Sequence, residues 1–335
     1  MRFGWNQLVL LLAFATAPMA RAEVSKVVSG YQNGLTYLPM MVMQDQHLFE
    51  KHAKAAGLSD VKAEWRIFSG PAPINDGILS GNLQFGAVGT PSVVLLWAKT
   101  RKSLGVRAVG ALSCMPMYLN TNNPTVKTVK DFTDKDRIAT PSVKIGIQSV
   151  TLEMAVAKAY GIAKYDKLDH LTIGMGHPDA LVALMSGKSE ISAHFGSPPF
   201  QDEELTQGQG KIHTVLNSYD VLGGKATFTA VVATDKFRKA NPKVYAVYVA
   251  AFEEATAFIN KDKSAATDIY LRVAHSKESR PMILGILKNP EVSFDLTPHN
   301  MGKYAEFMYK VGTVKQQPTS WKDLAHPNLL SRAGS

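Results

Sequence analysis

Two stretches of the chain carry the same order of residue types. The first runs from Ile78 to Pro91 and the second from Leu184 to Pro198. Each has a Ser-Gly pair, a short apolar stretch, and then a glycine followed by a hydroxyl residue and proline. This order predicts a helix ended by glycine, a short strand, and a second helix begun at Thr-Pro or Ser-Pro. The carboxyl end of such a strand faces the free N–H groups of a helix start, which can bind a small anion.

Two such units would form two similar lobes, each supplying one wall of a binding site. The alternative is that two ordinary turns resemble each other, because Ser-Gly and Gly-Ser/Thr-Pro are common turn sequences.

The elements around the first unit are predicted to alternate between strand and helix. Strands are predicted at 24–30, 61–68 and 83–88, helices at 39–56, 74–80 and 91–97, and a loop at 70–73. Such alternation is typical of an α/β fold with a mostly parallel sheet.

The middle of the chain predicts a second α/β unit. Its strands are expected at 145–148, 168–173 and 190–195, and its helices at 152–160 and from His177 to Gly187. Ser149 or Thr151 would cap the first helix and His177 the second. From residue 241 onward four helices are predicted, at 242–260, 264–273, 280–287 and 298–311.

Two apolar extended segments, 106–117 and 227–233, lie where the chain would cross between lobes. The expected division is therefore lobe 1 at 23–114 and 226–335, with lobe 2 at 115–225. Two strands joining two α/β lobes form a hinge, and a ligand would bind in the cleft between the lobes.

The N-terminus has the pattern of a secretory signal peptide. Arg2 precedes an apolar stretch at 8–17, and Ala20-Arg21-Ala22 is a small-x-small cleavage site. We expect residues 1–22 to be removed after Ala22; the alternative is an N-terminal helix of the folded protein. The apolar stretch is too short to span a bilayer, and no later segment qualifies, so we do not expect a membrane-embedded protein.

The only cysteine, Cys114, argues against a disulfide-stabilised secreted domain and against a lipid anchor at the cleavage site. An exported chain without disulfides favours the periplasm. Cys114 is expected in the core, because nothing nearby would activate its thiol.

Composition and motifs exclude several functional classes. The 37 Lys and Arg residues outnumber the 28 Asp and Glu residues, but they are scattered rather than clustered with aromatics, which argues against nucleic acid. His47 and His52 lie on different helix faces without a carboxylate cluster, so no metal site is predicted. Nucleophile-elbow and glycine-rich phosphate-loop motifs are absent. We therefore expect no catalytic residues and no cofactor.

Three segments together carry a family resemblance: Gly30-Tyr31-Gln32-Asn33-Gly34, the stretch Ile78 to Gly89, and Gly146 to Thr151 before a helix. In that order, behind a signal peptide and before a helical tail, the chain resembles the substrate-binding proteins of nitrate/sulfonate/taurine-type ABC importers. That family also includes binders of thiamine-precursor pyrimidines. The resemblance implies a type II periplasmic binding protein with two α/β lobes, which closes on its ligand and docks on a membrane permease.

The resemblance also implies which loops face the ligand. On lobe 1 and near the return hinge these are Gln32, Asn33, Thr36, Gly70, Pro71, Gly89, Thr90, Pro91, Lys225, Thr227 and Phe228. On lobe 2 they are Gln148, Ser149, Thr151, His194, Gly196, Ser197 and Pro198. Most are small, hydroxyl or amide residues at expected strand ends and helix starts, where they can offer convergent donors to an oxygen-rich anion.

Each of these residues also has a structural interpretation. Ser149 and Thr151 can bind ligand or only cap a helix, and Gln32 and Asn33 can bind ligand or only shape a turn. His194 can make anion binding pH-dependent or can be a buried histidine bonded to backbone. Three aromatic residues can stack on a flat ligand or pack in the core, namely Tyr31, Tyr37 and Phe228.

The predicted function is capture of a small anion, of the alkanesulfonate, taurine or nitrate class, for a permease. No arginine falls in the predicted loops, which leaves an aromatic carboxylate or a pyrimidine stacked on Tyr37 or Phe228 as the alternative. A ligand-sensing module for a membrane receptor is a further possibility. The single cysteine and the export signal argue against an enzyme resembling the thiamine-pyrimidine synthases.

Overall fold

The computed structural model describes residues 23–335, and the expected signal peptide at 1–22 lies outside them. Within these residues the strands form two five-stranded sheets. The first sheet has the order β2-β1-β3-β10-β4, with β1 at Lys26–Gln32, β2 at Lys62–Phe68, β3 at Phe85–Gly89, β4 at Val106–Cys114 and β10 at Thr227–Thr234. The second has the order β7-β6-β8-β5-β9, with β5 at Tyr118–Thr121, β6 at Ile138–Thr140, β7 at Thr172–Gly174, β8 at Ala193–Phe195 and β9 at His213–Asn217.

The helices cover both sheets and fill the C-terminal part. Those flanking the first sheet before β5 are α1 at Leu38–Asp45, α2 at Leu48–Ala55, α3 at Pro71–Ser80 and α4 at Thr90–Thr100. Those between β5 and β10 are α5 at Ile147–Tyr160, α6 at His177–Ser186, α7 at Phe200–Gln207 and α8 at Ser218–Leu222. The last five are α9 at Asp235–Ala240, α10 at Pro242–Lys261, α11 at Lys263–Val273, α12 at Arg280–Lys288 and α13 at Met301–Lys310.

The two sheets have the same internal arrangement. In each, one strand pairs in parallel with two neighbours, and two further pairings are antiparallel. The α/β fold with two lobes is therefore confirmed. The expected mostly parallel sheet is wrong, because β10 returns into the first sheet between β3 and β4 and runs antiparallel to both.

The repeated sequence occupies equivalent places in the two lobes. Its first copy spans the end of α3, then β3 and the start of α4; its second spans the end of α6 and β8. Gly81 and Gly187 end their helices with φ of 80° and 60°, the left-handed conformation for which glycine was predicted. The predicted hydroxyl caps are wrong. Gly89 is the N-cap of α4, and α7 begins only at Phe200 after Pro199.

Several predicted boundaries differ from the structure. The helix expected at 39–56 is two helices, because His47 adopts a left-handed φ of 52° between α1 and α2. The loop expected at 70–73 is helical from Pro71, which suits a first helical position because its missing N–H has no partner there. The strand expected at 145–148 is instead the start of α5, so Ser149 and Thr151 lie inside the helix rather than capping it.

The C-terminal helices α10, α11 and α12 begin and end within about two residues of their predicted bounds. Their starts carry local signals. Asp262 accepts from Ala265 N at 2.8 Å and Ser279 from Met282 N at 3.4 Å. Strands β5, β6 and β9 were not predicted; they are three to five residues long and have no clear alternation.

The core of the first lobe lies between its sheet and α10. Phe85 on β3 stacks on Tyr248 of α10, with ring centroids 3.5 Å apart and planes within 6°. Cys114 is also buried, and burial raises the pKa of its thiol to about 11, which suits the core role expected for it. Among residues 23–335, no helix has the length and apolar character needed to cross a membrane.

Candidate functional site

A narrow cavity lies where the two sheets face each other. Its first-lobe lining is Gln32, Asn33, Thr36, Tyr37, Pro71, Gly89, Ser92, Phe228 and Thr229, and its second-lobe lining is Pro141, Gly146, Ile147, Gln148, His177 and Ser197. The space open to the centre of a water molecule is about 30 Å³. That is room for about one or two waters, so the two lobes are closely apposed.

Four helices begin at this cavity. Pro71 opens α3, Gly89 precedes α4, Gly146 precedes α5, and His177 opens α6. All four have a glycine N-cap, and in the described part of the chain no side chain caps any of them. Their first-turn N–H groups are therefore left without a side-chain acceptor.

Four helices away from the cavity have side-chain caps. Side chains accept from the first turns of α8, α9, α11 and α12, and these are Asn217, Thr234, Asp262 and Ser279. Side-chain capping is thus used elsewhere in this chain and is absent at the four helix starts that meet at the cavity, as it also is at α1, α2, α7, α10 and α13. Each such start carries partial positive charge worth about 0.3–1 kcal/mol to a nearby anion.

No lysine, arginine, aspartate or glutamate among residues 23–335 lines the cavity. The polar lining consists of amide, hydroxyl and imidazole groups together with backbone N–H. Without a lining carboxylate, nothing there neutralises the positive ends of the helices, and the cavity favours a small anion.

The polar side chains of the first lobe are held by one another. Gln32 donates to the hydroxyl oxygen of Tyr37 at 2.7 Å. Thr36 Oγ1 lies 2.5 Å from Ser113 Oγ and 2.7 Å from Thr229 Oγ1, all three buried. Such a network fixes the donors before a ligand arrives. Burial keeps Tyr37 protonated by raising the pKa of its phenol, so its O–H remains a donor.

His177 on the second lobe connects the cavity to two buried groups. Its Nδ1 lies 2.8 Å from Nε2 of His194, whose Nδ1 hydrogen-bonds to Glu204. Phe200 stacks on the His177 ring at 5.5 Å. The sequence predicted that His177 would cap α6. That prediction is wrong, because Gly176 is the N-cap. His194 does not reach the cavity; it is fully buried and bonds these two side chains rather than backbone.

The structure brings nine of the predicted site residues to the cavity lining. They are Gln32, Asn33, Thr36, Tyr37, Pro71, Gly89, Gln148, Ser197 and Phe228. Contact with a ligand stays a prediction for each of them.

The other predicted site residues lie beside the cavity or away from it. Thr90 donates to Thr227 O at 2.7 Å, Ser149 donates to Ser142 O at 2.8 Å, and Gly196 N donates to Tyr118 O at 2.8 Å. Thr151 donates to Ile147 O at 2.6 Å, as hydroxyls inside helices commonly do. The side chain of Lys225 is exposed. Outside the lining are Gly70, Thr90, Pro91, Ser149, Thr151, His194, Gly196, Pro198, Lys225 and Thr227.

Six lining residues were not among the predicted site residues: Ser92, Pro141, Gly146, Ile147, His177 and Thr229. Gly146 and His177 had a usable signal, since Gly146 precedes one predicted helix and His177 opens another. Thr229 had none, because its place depends on β10 pairing with both β3 and β4.

Direct contacts join the lobes around the cavity. Leu35 N donates to Pro198 O at 3.1 Å. Thr151 on α5 shares a hydrogen bond of 2.8 Å with the hydroxyl of Tyr304 on α13. The described structure is therefore a closed arrangement of two lobes.

Solved structures of similar fold define the class. The alkanesulfonate-binding protein SsuA of Xanthomonas axonopodis pv. citri, bound to MOPS, matches with a TM-score of 0.69 over 88% of this chain and 96% of its own, at 14% identity. The periplasmic nitrate-binding protein NrtA of Synechocystis PCC 6803 matches at 0.67 over 90% and 84%, at 13% identity. The CA3427 gene product of Candida albicans, described as having the generic periplasmic binding protein fold, matches at 0.66 over 90% and 96%, at 12% identity. The chain has the periplasmic binding protein fold.

The sequence places the chain more narrowly within that class. The profile of the NMT1-like family matches residues 20–273, and the protein belongs to this family. No curated protein sequence matches the chain.

Proposed function

We propose that this protein is the solute-binding component of an ABC importer, which captures a small anion between its two lobes and delivers it to a membrane permease. The lobes are residues 23–114 with 226–335, and residues 115–225. After removal of residues 1–22 the protein would act in the periplasm, and it would catalyse no reaction.

The observation that carries this proposal is the meeting of four glycine-capped helix starts at one cavity without a lining carboxylate. Two of the helices belong to each lobe, so an anion held there would be gripped from both sides. Oriented N–H groups in a water-poor cleft bind oxyanions without a formal positive charge.

Family and fold support the same class. Structural neighbours are described as alkanesulfonate- and nitrate-binding proteins, and both ligands are small oxyanions. Closure would use the two crossings between lobes, at Cys114 to Met117 and at Gly223 to Thr227, where Cys114 and Thr227 are paired.

A ligand screen tests the proposal. Thermal shift and calorimetry would be run with nitrate, taurine, ethanesulfonate and benzoate, each as the sodium salt, against sodium chloride at the same ionic strength. A Kd near 1 µM corresponds to about −8 kcal/mol, and ligand at 100 times Kd adds about 2.7 kcal/mol of stability. A panel in which no oxyanion raises the melting temperature above the chloride control would refute the proposed ligand class.

A flat carboxylate is the second candidate ligand. Tyr37 and Phe228 both line the cavity, next to Pro71, Pro141 and Ile147. With the lobes closed less tightly than in the described structure, an aromatic ring would pack on these groups while its carboxylate faces the helix starts. Benzoate is in the panel for this reason, and binding of benzoate without ethanesulfonate or nitrate would favour it.

A further inference from the structure

Three side chains form a hydrogen-bonded series from the cavity into the second lobe. His177 Nε2 lies 3.3 Å from Nε2 of Gln148, and both residues line the cavity. His177 Nδ1 lies 2.8 Å from His194 Nε2, and His194 Nδ1 bonds to a carboxylate oxygen of Glu204. His194 and Glu204 are both 0% exposed, so the series ends in a carboxylate that water does not reach.

One arrangement of protons satisfies every link. The Gln148 amide nitrogen can only donate, so His177 Nε2 must accept, and the His177 proton is on Nδ1. That proton is donated to His194 Nε2, and the remaining His194 proton, on Nδ1, is donated to Glu204. In this state both imidazoles are neutral and His177 presents a lone pair to the cavity. Glu204 also accepts from Asn120 Nδ2 at 2.9 Å.

Adding one proton reverses the hydrogen bond between the two histidines and removes the acceptor of the Gln148 amide nitrogen, while His194 Nδ1 still donates to Glu204. A proton taken from solvent onto His177 Nε2 allows the Nδ1 proton of His177 to move to His194 Nε2. His194 then carries both protons and pairs, as a cation, with the Glu204 carboxylate. The cavity side of His177 becomes an N–H donor, while the positive charge lies on His194 beside Glu204.

The surroundings of His177 in the described structure disfavour that proton. Burial, and secondarily the neighbouring His194, holds the pKa of His177 well below its ordinary value. The other titratable side chains on the elements packed around the two imidazoles are Tyr118 on β5, Glu153, Lys158 and Tyr160 on α5, Asp179 on α6, and Asp202 and Glu203 on α7. In the described structure none of these seven hydrogen-bonds to either imidazole. Burial and Glu204 raise the pKa of Asp202 to about 7, so it too resists carrying charge here.

We propose that His177 is the specificity-determining residue of the cavity, and that an oxyanion enters together with one proton, which Glu204 stabilises through His194. This deepens the proposed function and rests on it. Among residues 23–335 no lysine or arginine lines the cavity to offset the charge of an anion, and the proton supplies that positive charge. Glu204 and His194 are positioning residues, because neither lines the cavity.

The first test needs no ligand. Long-range ¹H–¹⁵N spectra of the purified protein with ¹⁵N-labelled histidine report the protons on each imidazole nitrogen, with His177→Gln and His194→Gln used for assignment. At pH 7.5 we expect His177 to be neutral with Nε2 unprotonated. A neutral His177 with the proton on Nε2 would overturn the proposal.

The second test adds an oxyanion. Sodium nitrate and sodium ethanesulfonate are the probes, and calorimetry at pH 7 in two buffers of different ionisation enthalpy measures the protons taken up. We expect uptake approaching one proton per anion, and affinity that falls about tenfold per pH unit between the protonation midpoint of the free protein and that of the complex.

Two variants and a matched control locate the origin of this pH dependence. In Glu204→Gln we expect the protonation midpoint of the anion complex to fall by at least one pH unit. In His177→Gln we expect the affinity to be independent of pH. Glu203→Gln removes a carboxylate from the next position on α7, where Glu203 accepts from Gln207 rather than from an imidazole, and should retain the wild-type profile. Far-UV circular dichroism verifies folding, and His177→Gln leaves the His194–Glu204 pair intact should Glu204→Gln unfold.

The outcomes separate this proposal from the proposed function. Anions that bind with the same affinity from pH 5.5 to 8.5, with His177 still neutral, would overturn the proton-linked proposal and leave the anion-binding function standing. Absence of binding by either probe at any pH would overturn both. Equal loss of pH dependence in Glu203→Gln and Glu204→Gln would show a general charge effect on α7 and would refute the relay.

Discussion

Gly89 and Ile147 face each other across the cavity so closely that a Cβ placed on Gly89 would lie 3.0 Å from the Cβ of Ile147. Gly89 is the N-cap of α4 on the first lobe, and Ile147 is the first residue of α5 on the second. Both Cβ positions are fixed by the backbone, so no rotamer change relieves the contact. With a side chain in place of Gly89, Ile147 would have to move away by a few tenths of an ångström, so glycine favours this close approach of two helix starts from opposite lobes.

We expect Gly89→Ala to hold the lobes apart and to weaken ligand binding by about tenfold or more, since about 1.4 kcal/mol of opposing strain gives that factor. Gly89 has φ of −64°, so alanine fits the local backbone and the protein should fold. The measurement is the radius of gyration by small-angle X-ray scattering, together with the Kd for the best ligand of the screen.

Gly174→Ala is the matched control, because its added Cβ meets no atom within 4 Å. Identical radii and affinities in Gly89→Ala and wild-type protein would show that closure does not depend on this contact.

The hydroxyl of Tyr304 supplies a second link between lobes. It shares a 2.8 Å hydrogen bond with Thr151, and both side chains are buried. We expect Tyr304→Phe to lower the free energy of unfolding by about 1 kcal/mol. The loss is no larger because Thr151 keeps its hydrogen bond to Ile147 O. Denaturant unfolding measures this, with Tyr309→Phe on the exposed side of α13 as control. If Tyr304→Phe were as stable as Tyr309→Phe, the Thr151–Tyr304 hydrogen bond would not contribute to holding the lobes together.

Glu153 on α5 makes stability depend on pH. Burial, with Asp169 and Asp166 nearby, raises its pKa to about 8 from 4.5. The folded protein therefore binds this proton more tightly than the unfolded chain does. The resulting stabilisation is complete below about pH 4.5 and is lost as pH rises through 8.

We expect Glu153→Gln to be more stable than wild type at pH 9, by about 1–2 kcal/mol after allowance for solvent screening, and equal to it at pH 4.5. Thermal unfolding at the two pH values measures the difference, with the exposed Glu190→Gln as control. A stability gain that is the same at both pH values would contradict a titration origin.

The parts of this structure that could be predicted from sequence are those decided by local chemistry. Gly81 and Gly187 end helices because only glycine adopts their left-handed φ without strain, and Asp262 and Ser279 begin helices through their own side chains.

The cavity is decided by long-range contacts instead. Thr229 reaches it only through the antiparallel return of β10, and His177 meets His194 and Glu204 through the packing of α6 and α7 against β8. Hydroxyl-Pro pairs also misled the prediction, because glycine at Gly89 takes the capping position and moves Thr90 into the helix. Local rules identified that glycines and hydroxyls cluster at helix starts, but tertiary packing decides which of them face the ligand.

Tyr37 and Phe228 distinguish the two candidate ligand classes. Tyr37 accepts from Gln32 through its hydroxyl oxygen and keeps its own O–H free to donate, whereas Phe228 offers only a ring. For a small oxyanion we expect Tyr37→Phe to weaken binding about tenfold through loss of a donor, and Phe228→Leu to change it less than threefold. For a flat carboxylate we expect Phe228→Leu to weaken binding more than Tyr37→Phe does, because ring packing then supplies the affinity. Calorimetry of both variants with ethanesulfonate and with benzoate measures the difference. If both variants left every affinity unchanged, neither aromatic residue would contact the ligand, and the binding position would have to lie nearer to His177 and Gln148.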